Sequence, residues 1–256
     1  MNSSSNFDGP ILIVAAHPDD ETLGMGIQIS RWDPSRITIV HATDGSPRHL
    51  PDFHDAGFET AEDYAHQRRR ELYQALELVK IRPDQCITFK YPDQEAYLHL
   101  ADLAGRLKVL IHDLKPDRIY THPYEGGHPD HDSVAFAVAQ ACAEDKVYEF
   151  TSYHRGGNGF ETGRFLQSNE TETIEPTAEE RQLKQKMLQC FRTQQKVLGL
   201  FPVGAEQFRA APSYDFANPP HEGTLHYETL GWPLTGVEWR RNASEALQLL
   251  EQRRTL

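Results

Sequence analysis

His17-Pro18-Asp19-Asp20-Glu21 sets one imidazole and three carboxylates within five residues, and His128-Pro129-Asp130-His131-Asp132 sets two imidazoles beside two carboxylates. Brought together away from water, so many carboxylates are costly to hold without a cation. Imidazole and carboxylate are the expected ligands of a borderline divalent metal such as zinc. Either motif alone reads equally well as a polar turn in which Asp20 or Asp132 caps the following helix. The pair carries weight only if the fold joins the two, although more than 100 residues separate them.

The flanking segments predict such a fold. Strands are expected at Pro10–Ala16, Arg36–Thr43, Gln85–Phe89, Arg118–Thr121 and Val147–Tyr153. Between them, 3.6-residue periodicity predicts helices over Thr22–Trp32, residues 60 to 78, Leu98–Leu114 and Ser133–Ala143. Alternation with short connections predicts an α/β fold: a Rossmann-like, doubly wound, mainly parallel sheet with helices on both faces. In the common order 3-2-1-4-5, the first and fourth strands are neighbours. Both motifs then fall at the carboxyl ends that flank the switch point, where open α/β sheets bind ligands. A single domain is expected, with an α/β core to residue 155 and an irregular extension over residues 156–256. The extension holds expected helices over Glu179–Leu198 and Ala243–Arg254. Gly199–Trp232 reads as a long irregular loop, in which Phe208–Phe216 and Pro219-Pro220-His221 would cover the crevice or simply pack.

Composition narrows the partners. The net charge of −12 argues against a nucleic-acid partner, since phosphates would be repelled. Arg68-Arg69-Arg70 is too short a basic run to reverse that. Gly24-x-Gly26 lacks the third glycine of a dinucleotide loop and follows an acidic turn. Cys86, Cys142 and Cys190 form no CxxC pair, so neither a disulfide framework nor a thiolate zinc site is expected. No membrane span is expected, because the run Ile11–Ala16 is too short, and the default location is cytoplasmic.

Ala16-His17-Pro18-Asp19-Asp20-Glu21 followed by His128-Pro129-Asp130-His131 resembles the signature of the LmbE/PIG-L deacetylases, which include sugar, mycothiol-precursor and glycosylphosphatidylinositol de-N-acetylases. Thr43-Asp44-Gly45 and Arg68-Arg69-Arg70-Glu71-Leu72 extend the likeness. The resemblance implies one zinc ion per chain, other divalent metals being conceivable, held by His17, Asp20 and His131. It further implies Asp19 as general base toward the attacking water, and His128 as an imidazolium stabilising the oxyanion with Asp130 in support. Arg68, Tyr124 and Glu125 are candidate substrate contacts, and Glu21 and His122 candidate outer supports of the ligands. The implied partner is a small N-acetylated sugar or glycoconjugate, with homo-oligomer formation left open.

The likeness has a gap. Some relatives carry a tyrosine two residues ahead of the first histidine of the second motif, where this chain has Gly126; Tyr124 lies two residues further back. Asp44 could meet a sugar hydroxyl or merely close its turn. His41, His49, His54, His99 and His112 read as ordinary surface or half-buried residues. Two other functions remain open: a zinc amidase for another amide, such as a thiol-sugar conjugate, and a sugar-binding protein without catalysis. A phosphoesterase is disfavoured, since the sequence offers clear ligands for one metal and such sites often hold two.

Overall fold

Ile11–Ala15 (β1) is a run of apolar residues with every side chain buried, the pattern of a strand covered on both faces. The computed structural model describes residues 8–48, 52–142, 144–156, 159–167 and 170–254, so His49 lies outside the described residues. After β1 come Asp20–Arg31 (α1), Ile37–Pro47 (β2), Asp52–Asp55 (α2), Ala61–Glu77 (α3) and Cys86–Asp93 (β3). Leu100–Leu114 (α4), Arg118–Thr121 (β4), Pro129–Ala141 (α5) and Val147–Phe150 (β5) complete the expected alternation. The remainder holds Tyr153–Gly156 (β6), Gly159–Thr162 (β7), Glu172–Ile174 (β8), Ala178–Cys190 (α6), Gln195–Leu198 (α7), Glu206–Ala210 (β9) and Gly236–Arg254 (α8).

The large sheet runs β3-β2-β1-β4-β5-β9-β8. Its first five strands are parallel and follow the expected 3-2-1-4-5 order. Strands β9 and β8 add to the edge in antiparallel sense, and β6 and β7 form a separate hairpin. Alternation along β1 divides the core: Ile11 and Ile13 pack with α1, α3 and α6, whereas Leu12 and Val14 pack with α4 and α5. A third apolar cluster joins α5 to α8 and the loop around Phe216. Cys86, Cys142 and Cys190 are free. Among the described residues, no helix is long and apolar enough to cross a membrane.

Several boundaries move, and the moves matter for the site. Strand β2 runs through Asp44-Gly45 to Pro47 rather than turning there. Strand β3 continues past Phe89 to Asp93. Helix α5 starts at Pro129, so the second motif is the helix's first turn. The expected irregular loop contains β9, a strand missed because its Glu206, Gln207 and Arg209 are polar.

Glu206 also explains a break in α1. Met25 leaves helical geometry (φ −149°, ψ 24°), which strands backbone groups on either side. Glu206 accepts from the amides of Ile27 and Gln28 at 2.8 and 2.9 Å. Lys184 donates to Leu23 O and to Glu206, both at 2.7 Å. The neighbouring Gly24 leaves room for the Phe150 ring, which a Cβ would meet at 2.3 Å. With Lys184 4% and Glu206 1% exposed, the pair is buried and each charge depends on the other. Lys184→Met is expected to lower unfolding free energy in urea by about 3–5 kcal/mol, and adding Glu206→Gln should recover part of the loss. Simply additive losses would contradict the pairing.

Candidate active site and metal centre

The end of β1 feeds a tight turn in which Asp19 N donates to His17 O at 2.9 Å. The turn enters α1 with Asp20 and Glu21 in the first turn, where the helix dipole favours carboxylates. Asp20 Oδ2 accepts from the amide of His17 at 2.7 Å and lies 3.2 Å from His17 Nδ1. The end of β4 leads through His122 and a Gly126-Gly127 loop to α5. Gly127 is required by a close approach, since a Cβ there would stand 1.9 Å from Tyr153 O. Asp132 accepts from the amides of Glu125 and Gly126 at 3.3 and 3.0 Å, so its carboxylate shapes the loop.

The two motifs meet as expected from the strand order. Asp20 Oδ1 is 3.2 Å from His131 Nε2, and Asp20 Oδ2 is 3.3 Å from His122 Nε2. Ser152 Oγ lies 3.2 Å from His131 Nδ1, leaving Nε2 buried without a hydrogen-bond partner and directed at Asp20. Among the described residues, three overlapping buried groups could hold a metal: His17, His128 and His131; His17, Asp93, His128 and Asp130; and Asp20, His122 and His131. The chain therefore has a buried His/Asp cluster fit for a cation.

Charge in the cluster is out of balance. Burial opposes ionisation of Asp20, yet His131, His122 and His17 hold its carboxyl well below the usual range. Burial likewise disfavours a charged His17, but Asp93 and Asp20 outweigh it and push His17 well up. Asp93 is held down against its burial chiefly by His17. Such mutual demand for positive charge is what a divalent ion would satisfy.

Asp19 stands beside this cluster and differs from it. Burial raises its carboxyl to about 6 although Arg68 opposes the rise. Arg68 Nη2 donates to Asp19 Oδ2 at 2.8 Å, Nη1 lies 3.6 Å from Asp93, and a further bond reaches Gly45 O. Arg68 is thus a buried residue of the site and no surface helix arginine. Thr193 bonds Glu71 of the same helix and anchors it from outside the site.

Other residues are placed differently from their sequence reading. Asp130 does not chiefly support His128. Its Oδ2 lies 3.1 Å from His17 Nε2 and accepts from Gln94 N at 2.6 Å, while Oδ1 accepts from Ala96 N. His128 Nδ1 instead accepts from Asp130 N at 3.2 Å, a helix-capping bond. Burial and the neighbouring His17 push His128 well below its ordinary pKa, the direction opposite to the imidazolium that the resemblance implies. Tyr124 donates to Asn218 O and stacks on Trp239. Glu125 accepts from Leu166 N and Arg209. Both are therefore engaged in packing the extension. Glu21 supports no ligand directly; it lies 2.9 Å from His41, which is buried by that pairing rather than superficial. His54, His99 and His112 are exposed, as expected. Asp44 accepts from Ser46 N and pairs with Arg48 at the end of β2. Tyr214 and Phe216 pack with Tyr124 instead of covering the crevice, and Trp232 is the loop aromatic that reaches His128, at 5.0 Å.

Asp93 is the residue that sequence reasoning missed. Its buried Oδ1 has no hydrogen-bond partner, lies 3.1 Å from His17 Nε2 and 3.7 Å from His128 Nε2, and faces the cluster from the end of β3. The available signal was its position at a third carboxyl strand end beside the same crevice.

Residues 12–142 match the family described as PIG-L, GlcNAc-PI de-N-acetylase. The chain is 31% identical over 144 residues to "Probable N-acetyl-alpha-D-glucosaminyl L-malate deacetylase 2" of Bacillus subtilis, covering 53% of this chain and 62% of that protein. It is 27% identical over 134 residues to the protein of the same name from Bacillus cereus, covering 52% and 60%. The matched parts span less than two thirds of those relatives. In fold, the chain is similar to the crystal structure of a deacetylase–bog complex from teicoplanin biosynthesis, with a TM-score of 0.61 at 14% identity over 78% of this chain and 96% of that one. At such identity the likeness concerns the fold alone. The family match takes in more than half of the chain and both motifs, and on that ground this chain belongs to the PIG-L (LmbE-like) family of de-N-acetylases.

Proposed function

We propose that this chain hydrolyses the N-acetyl amide of an amino sugar or its conjugate, releasing acetate and free amine, with one zinc ion held by His17, Asp20 and His131. The observation that carries the reading is Asp19. It is a buried carboxylate raised to about 6, adjacent to the donor cluster and engaged by Arg68. A binding protein has no use for a base so placed, whereas a hydrolase does. Zinc, when bound, supplies Lewis acidity toward the amide carbonyl and its attacking water.

The chain's own groups account for the proton movements. Asp19 takes a proton from the water that adds to the carbonyl carbon. His128 Nδ1 accepts from Asp130 N, so a neutral ring would carry its proton on Nε2, where it can donate to the oxygen that gains charge. When the carbon–nitrogen bond breaks, the amine leaves with the proton that Asp19 holds. Arg68 keeps Asp19 oriented between these steps. Arg68, buried beside Asp19, is the residue we assign to substrate contact, whereas Tyr124 and Glu125 bond to the extension.

Acetate release from N-acetylglucosamine and a panel of its conjugates tests the reading. Asp19→Asn should lower kcat by about 10²–10⁴-fold while zinc content stays at the wild-type level. Undiminished turnover in the variant would remove Asp19 from the reaction. Asp130→Asn should weaken zinc binding about 10–100-fold in competition with a chelator, because Asp130 orients His17 from behind. Unchanged affinity would mean that His17 does not rely on it.

A further inference from the structure

A wall of rings begins at the metal cluster and runs outward. Tyr153 meets His131 edge-on at 5.2 Å. From Tyr153 the contacts continue to Phe160 at 5.5 Å, Phe201 at 5.6 Å and His226 at 5.6 Å. Phe160 closes the group, lying 5.7 Å from Phe201 and 5.0 Å from His226. None of these four belongs to the three core clusters. Phe160 is 40% exposed, and Leu200, beside Phe201, is 65% exposed.

The fold gains little from this arrangement. A two-stranded hairpin such as β6–β7 is marginal by itself, and large apolar side chains left at its surface cost solvation. The backbone nonetheless fixes the wall to the site. Tyr153 O abuts Gly127, one residue before His128, and His226 N donates to Gly126 O at 2.8 Å. The rings therefore stand beside the position of the reacting amide, on the side of His131.

We propose that this wall is a subsite for the group attached at the sugar's anomeric carbon, and that it selects amino-sugar conjugates whose aglycone is flat and apolar, in particular aromatic. The inference rests on the deacetylase reading above and adds the class of conjugate. In a 2-acetamido sugar the anomeric carbon adjoins the carbon bearing the amide, so an aglycone there reaches the wall while the amide sits at the cluster. Phe160, the exposed ring, meets it, and Tyr153 and Phe201 back Phe160. An acidic aglycone is the informative competitor, because Arg155 pairs with Phe160 across the hairpin and would supply its cation.

The test compares kcat/KM of zinc-loaded protein on methyl, phenyl and malyl 2-acetamido-2-deoxyglucosides. Phenyl should exceed methyl by about tenfold, the scale of partly burying one aromatic ring. Phe160→Ala should erase most of that preference through KM on the phenyl substrate, and Phe160→Trp should keep it. Equal rates on phenyl and methyl, a preference for malyl, or equal losses on all substrates in Phe160→Ala would overturn the subsite. If no glycoside is hydrolysed, the deacetylase reading fails, and calorimetric binding decides the subsite separately. Phenyl glycoside binding about tenfold tighter than methyl would then uphold it, and equal affinities would reject it.

Discussion

Asp19, Asp20, Asp93 and Asp130 are all buried within one crevice, and Arg68 is the guanidinium that meets two of them. Carboxylates so crowded and so dry repel one another unless positive charge is supplied. The imidazoles of His17, His122, His128 and His131 interleave with them; the carboxylates push His17 upward, whereas burial pushes His122 and His128 downward. A cation bound among them would relieve this strain. Asp20 shapes the turn after β1 and His128 caps the first turn of α5, while the adjoining Asp132 shapes the glycine loop between β4 and α5.

The carboxyl-terminal extension is joined to the α/β core by buried charged side chains that bond across to it. Lys184 and Glu206 complete the broken helix α1, whose first turn carries Asp20. Arg209 binds Glu149 at 2.7 Å and also meets Glu125, while Tyr214 donates to Glu149 at 2.8 Å. Burial pushes the Glu149 carboxyl up to about 7 in spite of Arg209. The extension thus supports the loop that presents His128, and its β6–β7 hairpin supplies the outer wall.

The parallel core was legible because both sequence signals agreed. Continuous apolar runs gave β1, β2 and β4, and the 3-2-1-4-5 order then carried His17 and His131 into one crevice. Where burial is achieved by pairing charges, hydrophobic pattern fails. Strand β9 reads as polar because Glu206 and Arg209 are buried against Lys184 and Glu149, and His41 reads as superficial because its partner Glu21 is invisible in sequence. Asp93 was hidden by Lys90, with φ +63°, and by Pro92, which interrupt β3 before its end. The start of α5 was missed by four residues, although Pro129 holds the first helical position, where proline is favoured.

Calorimetric titration of zinc into metal-free protein addresses the central claim most directly. The account predicts one zinc per chain, and a loss of affinity in Asp20→Asn and in His131→Ala greater than the roughly 10–100-fold expected for an outer partner. No zinc uptake by the wild-type chain, or uptake undiminished in both variants, would contradict it.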